Sequence, residues 1–133
     1  MALKMAGQKG KRMINSKNEL MLKMCASEKG GIGVEVDGNF YFYENFEDDT
    51  LSRIYRHFGT NHTFTFYSME WAHQARIKEL MEFRNELFII ADAEKVKKIT
   101  GVVAFYIAQW SGCTEAEALE QVKSNKINYS KIR

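Results

Sequence analysis

Three histidines, His57, His62 and His73, fall close together in the middle of the chain, interleaved with Arg53, Arg56 and Arg76. Tyr55 and Glu70 lie nearby. Imidazole exchanges protons near neutral pH, and a guanidinium holds a carboxylate or phosphate through paired donors. His57 or His73 as a general base, with Arg53, Arg56 or Arg76 on an anion, is the chemistry that these residues allow. It requires the helix after Glu47 and the helix after Ser68 to lie side by side. Anion or nucleotide binding by Arg53, Arg56, His57, His62, His73 and Arg76 is the milder form of the same idea. The spacing is not that of a metal-binding helix such as H-E-x-x-H, so no metal is expected.

Carboxylates and thiols offer less. Glu35-Val36-Asp37 would need a downstream Glu-x-Lys to resemble a metal-dependent nuclease, and none occurs. Glu47-Asp48-Asp49 lacks the ligand spacing of a calcium loop. Cys25 and Cys113 stand far apart with no Cys or His at zinc spacing, and read as two free, buried thiols. There is no phosphate-binding glycine loop and no nucleophile elbow. No cofactor is expected, and the balance leans away from an enzyme.

Charge is distributed unevenly. From Met1 to Lys23 the bases are Lys4, Lys9, Lys11, Arg12, Lys17 and Lys23, against Glu19 alone. From Gly30 to Leu51 stand Glu35, Asp37, Glu44, Glu47, Asp48 and Asp49, with no base. After Glu120 come Lys123, Lys126, Lys131 and Arg133, with no acid. Lys4, Lys9, Lys11 and Arg12 could bind phosphate backbones by releasing counterions, helped by the basic C-terminal end.

The elements that position these groups are marked by period and punctuation. The chain has 133 residues and no proline, so its stops must come from Gly, Asn and Asp. Residues 1–12 read as a flexible basic arm, residues 13–126 as one α+β domain, and residues 127–133 as a basic tail. A helix is expected from about Asn15 to Ala26, closed by Gly30-Gly31. Ile32 to Glu44 is a hairpin, with Asp37-Gly38 or Gly38-Asn39 as the two-residue turn. Either turn puts Ile32, Val34, Val36, Tyr41 and Tyr43 on one face, and Gly33, Glu35, Phe40 and Phe42 on the other.

A helix from about Thr50 to His57 and a strand over Thr63 to Tyr67 follow. Ser68 caps a long helix carrying Ile77, Leu80, Met81 and Arg84 on one face. Leu87 to Ala91 is a short continuous apolar run and reads as a central strand. Asp92 then opens the most apolar helix, with Val96, Ile99, Val103, Tyr106, Ile107 and Trp110 as its stripe and Gly101 as a weak point. Thr114 and Glu117 form the capping box of a last helix. The order expected is α-β-β-α-β-α-β-α-α, a mixed sheet of about four strands with helices on at least one face.

The turn around Gly112 resembles that of a helix-turn-helix, but its second helix carries Glu115, Glu117 and Glu120, which repel phosphate. The hairpin is the more promising surface. Phe40, Tyr41, Phe42 and Tyr43, rimmed by Glu35 and Glu44, suit an aromatic anchor for a protein partner. The function expected is therefore a small, non-enzymatic, cytoplasmic binding module. Its profile is shared by accessory, regulatory or inhibitory proteins of phages and mobile elements. No apolar run is long enough to span a bilayer, and self-association is open. Nucleic-acid binding through the ends and anion binding through the middle are the alternatives.

Overall fold

A computed structural model of the chain describes residues 11–133, with side chains from Met13 onward. In chain order it contains β1 (Lys11–Ile14), α1 (Lys17–Ala26), β2 (Ile32–Val36), β3 (Asn39–Tyr43), α2 (Thr50–Phe58) and β4 (Phe64–Tyr67). Three helices follow, α3 (Met69–Ile89), α4 (Ala93–Ser111) and α5 (Glu115–Lys123), then a 3-10 turn at Tyr129–Lys131. The class is α+β, with a four-stranded sheet in the order β1-β3-β2-β4. The chain forms two compact units, one up to Ala72 and one from His73.

In the sheet unit the hairpin is as expected, and the turn is Asp37-Gly38. Both residues have positive φ, at 50° and 88°, the twist that a two-residue hairpin demands. The register pairs Gly33 with Phe42 and Val34 with Tyr41. All strand pairs are antiparallel rather than mixed. The face bearing Val34, Val36 and Tyr43 packs on Ile54 and Phe58 of α2. The other face meets α1: a Cβ built on Gly33 would lie 2.9 Å from a methyl of Leu20 and 3.0 Å from the sulfur of Met24. Gly33 is glycine because a helix, not only the opposite aromatic, presses on it.

Local chemistry explains the helix starts. The Ser16 hydroxyl accepts from the Glu19 amide at 3.0 Å, and the Glu19 carboxylate accepts from the Asn15 amide at 3.2 Å. Ser68 caps α3 as expected, accepting from the Trp71 amide at 3.1 Å. The buried Thr50 hydroxyl accepts from the Glu47 amide at 2.7 Å and donates to the Asn45 carbonyl at 3.2 Å, tying the acidic loop to α2. Thr114 and Glu117 form both halves of their capping box.

Two expectations about strands are overturned. Leu87–Ala91 is not a central strand; α3 runs on to Ile89. It ends with Ala91 at φ 58°, the Ala91 amide on the Phe88 carbonyl and the Asp92 amide on the Leu87 carbonyl, at 3.1 Å each. That is a Schellman stop with alanine where glycine usually stands. The fourth strand is instead β1, so Lys11 and Arg12 belong to the sheet edge rather than to an arm.

In the helical unit, Ile77, Leu80 and Met81 of α3 pack with Val103 and Ile107 of α4 and with Ala118 and Val122 of α5. Residues 127–133 are not a loose tail. Ile132 is fully buried in this core, and the Arg133 amide donates to the Trp110 carbonyl at 2.9 Å. Among the described residues, no helix is long and apolar enough to cross a membrane.

Candidate functional site

A well-formed concavity belongs to the helical unit. An open cavity of about 760 Å³ lies where the end of α3 meets the first turns of α4 and the end of α5. Its walls are largely apolar, with Phe88, Val96 and Leu119 contributing. The volume is within the range of ligand pockets, roughly 300–1,000 Å³.

One charged group is set into that wall. Arg84 is 4% exposed, on the buried stripe of α3. Its Nε–H donates to the Thr100 hydroxyl at 2.6 Å, and its guanidinium carbon lies 4.6 Å from the centre of the Phe88 ring. No other hydrogen bond of this side chain occurs among the described residues, and no carboxylate pairs with it. Burial pulls its pKa below the usual guanidinium value. A buried cation without a counter-charge is costly. The Thr100 bond, the Phe88 ring and the open mouth of the cavity offset that cost only in part. Lys97 and Lys123 stand at the same cavity. The Asp92 carboxylate there is engaged with the Lys95 amide at 3.2 Å and the Lys95 ammonium at 3.7 Å.

Gly101 completes the wall from within α4. A helix-interior glycine costs about 1 kcal/mol relative to alanine. Unlike Gly33, a Cβ here would meet nothing within 4 Å. Packing does not demand glycine at this position; its effect is to leave the cavity open.

The histidine and arginine residues singled out from the sequence do not share one set of partners. Arg53 lies 3.4 Å from the Asp49 carboxylate and donates to Thr50 at 3.2 Å. Arg56 and His57 are exposed on α2, where His57 sits edge-on to Phe58 at 4.6 Å. His62 pairs with the turn residue Asp37, whose carboxyl is held below its usual range by that bond and by the Thr63 amide. Arg76 pairs with Glu79 at 2.5 Å. His73 stacks on Trp110 at 3.9 Å, and its Nδ1–H donates to the Arg133 carbonyl at 2.6 Å. Arg53, His57, His62, His73 and Arg76 are each engaged locally, Arg56 is exposed, and no group of three or more metal-ligating side chains occurs among the described residues.

Burial depresses the His73 imidazole below its ordinary value of 6.5, opposed by its bond to Arg133. A histidine with a lowered folded-state pKa stabilises the protein above the unfolded value, and that stability is lost as pH falls through the folded value. The helical unit should therefore melt at lower temperature below about pH 6.5, and His73→Phe, which keeps a ring on Trp110, should flatten the slope. An NMR titration placing the His73 midpoint at or above 6.5 would contradict this.

The aromatic hairpin divides differently from expectation. Phe42 and Tyr43 are 3% and 6% exposed and belong to the core, one on each face of the sheet. Burial pushes the Tyr43 phenol up to about 12. Phe40 and Tyr41 are half-buried, and Glu35 accepts from the Tyr67 hydroxyl at 2.9 Å. Glu44 lines a shallow groove with Lys23 and Lys29. Of the basic arm, Lys4 and Lys9 lie outside the described residues, as do the side chains of Lys11 and Arg12. Cys25 and Cys113 are half-buried rather than buried, and the Cys25 thiol donates to the Ala72 carbonyl at 3.3 Å.

No family model, curated protein or solved structure matches this chain. Its chemistry must be argued from its own surface.

There the misread run becomes informative. Leu87 is buried, but Phe88, Ile89 and Ile90 are 55%, 83% and 68% exposed. Sequence reasoning noticed Arg84 and Gly101 without assigning them a task. A cation on an otherwise apolar helical stripe, and a glycine inside the most apolar helix, were the available signals.

Proposed function

We propose that this chain is a non-enzymatic binding module whose partner is another protein, docked on the apolar surface where α3 turns into α4. The observation that carries this is the exposure of three consecutive large apolar residues, Phe88, Ile89 and Ile90. Single exposed apolar residues are ordinary, whereas a contiguous cluster marks an interaction surface. Charges of both signs flank this run in the sequence, Glu86, Asp92 and Glu94 with Lys95, Lys97 and Lys98. That mixture suits the polar rim of a protein interface. A phosphate backbone would favour bases alone. The hairpin is not chosen as the docking surface because the Phe42 and Tyr43 rings are committed to the core.

The test is a double substitution, Ile89→Lys with Ile90→Lys. Both side chains point into water, so the melting temperature should stay within about 2 °C of the parent. Capture of the physiological partner by the monomeric parent should fall at least tenfold in the variant, since lysines placed at an apolar interface centre are desolvated without counter-charges. Equal capture by both proteins would refute the docking site. A parent chain that is a dimer by light scattering, and a variant that is monomeric, would show instead that the surface joins two copies of this chain.

A further inference from the structure

We infer that the cavity beside α3 and α4 binds a small amphipathic monoanion, an apolar body carrying one carboxylate, with Arg84 as its anchor. This goes beyond the docking surface: Phe88 borders both, but Ile89 and Ile90 do not line the cavity. Three separate observations converge on it. The cavity is concave, about 760 Å³ and largely apolar, which selects a hydrocarbon or aromatic body. Arg84 is almost wholly buried in its wall, with Nε–H engaged by Thr100 and the two terminal nitrogens left without a partner among the described residues. Those nitrogens form the end of a planar fork, which matches the two oxygens of a carboxylate. Gly101 keeps the α4 wall open where a side chain would be sterically free to stand.

The charge count selects a monoanion. Arg84 is the one buried cation on the wall, and one carboxylate neutralises it. Lys97 and Lys123 are solvated and assist approach without being buried against the ligand. Asp92 is occupied by Lys95 and by the start of α4, so it does not supply the missing counter-charge. The Phe88 ring packs against the guanidinium, with its centre 4.6 Å from the guanidinium carbon, and lends the cation an apolar neighbour on the cavity wall.

Decanoate is the probe, with decan-1-ol and decyltrimethylammonium as chain-matched controls, each below its micelle concentration. Titration calorimetry on the full chain should give one site for decanoate. Affinity for the alcohol should be at least tenfold weaker, and the cation should not bind. Amide shifts should centre on Ala93, Thr100 and Gly101. Gly101→Met should abolish binding while the melting temperature is unchanged or raised, because the side chain fills the cavity and methionine is a better helix former. Arg84→Met should erase the preference for decanoate over decanol. Should that variant fail to fold, Gly101→Met alone still decides whether the cavity is the site. The Ile89→Lys, Ile90→Lys protein should bind decanoate like the parent, which separates this site from the docking surface. Absence of decanoate binding at about 1 mM, equal binding of all three probes, or unaltered binding by Gly101→Met would each overturn the inference.

Discussion

Gly31→Ala is expected to destabilise the sheet unit by roughly 3 kcal/mol, lowering its melting temperature by about 10 °C or more. Two causes act together. Gly31 has φ 134°, a backbone conformation that L side chains rarely adopt. A Cβ there would also run into the carbonyl oxygens of Tyr43 and Glu44 and the ring of Phe42. Side chains can turn away, but the two carbonyls belong to the end of β3 and cannot move without distorting the sheet. Gly33 provides the comparison. Its neighbours are the flexible ends of Leu20 and Met24, so alanine there should cost clearly less than at Gly31. The measurement is chemical denaturation followed by Trp71 fluorescence in a Trp110→Phe background. A Gly31→Ala midpoint no lower than that of Gly33→Ala would contradict the argument.

Ile132→Ala should cost about 3 kcal/mol, the usual penalty for emptying a fully buried aliphatic site. A residue one position from the end of a solvated basic segment would cost nothing when truncated. Ile132 instead lies in the same cluster as Ile77, Val103 and Ile107. The Gln74 amide reaches across to the Tyr129 and Ile132 carbonyls at 3.0 and 3.2 Å, and His73 bonds to Arg133. These contacts hold the segment closed on the helices, so the cavity left by alanine cannot collapse fully. Unfolding followed through Trp110, with Trp71→Phe, should show a melting temperature about 10 °C lower. A change below about 1 kcal/mol would mean that the segment contributes little to the core.

Much of the scaffold was legible because short-range rules act on few residues. The hairpin needs only alternation and a turn with two positive-φ positions, and Asp37-Gly38 satisfies both. The starts of α3, α4 and α5 follow from Ser68, Asp92 and Thr114, whose side chains cap amides three residues on. The buried stripe Ile77, Leu80 and Met81 followed from helical period alone.

The end of α3 was not legible in that way. Without proline, stops are expected at Gly or Asn, as Gly112 and Asn125 provide for α4 and α5. Between Arg84 and Asp92 only Asn85 offers such a stop, and it lies inside α3, while the apolar run Leu87–Ala91 that follows it looks like a strand. A left-handed L-alanine costs roughly 1–2 kcal/mol, and local sequence does not reveal that tertiary contacts will meet that cost. The opposite error concealed β1. Lys11–Ile14 has little strand character of its own and becomes a strand because the edge of β3 offers it hydrogen bonds.

The same division runs through the candidate site. Residue type and spacing determined the class of the fold, three of the four strands, the helix starts and the uneven charge. They also named the histidines and arginines able to do chemistry. Only the tertiary structure decided which polar groups were already satisfied. His62 and His73 meet partners distant in the chain, whereas Arg53 and Arg76 pair with neighbours three or four residues away, and Phe42 and Tyr43 are consumed by the two faces of the sheet. Arg84, part of a helical stripe in sequence, is left as a buried cation beside an open cavity. The pairing of His62 and His73 and the cavity beside Arg84 depend on contacts between residues distant in the chain, so neither can be read from a period of two or of 3.6.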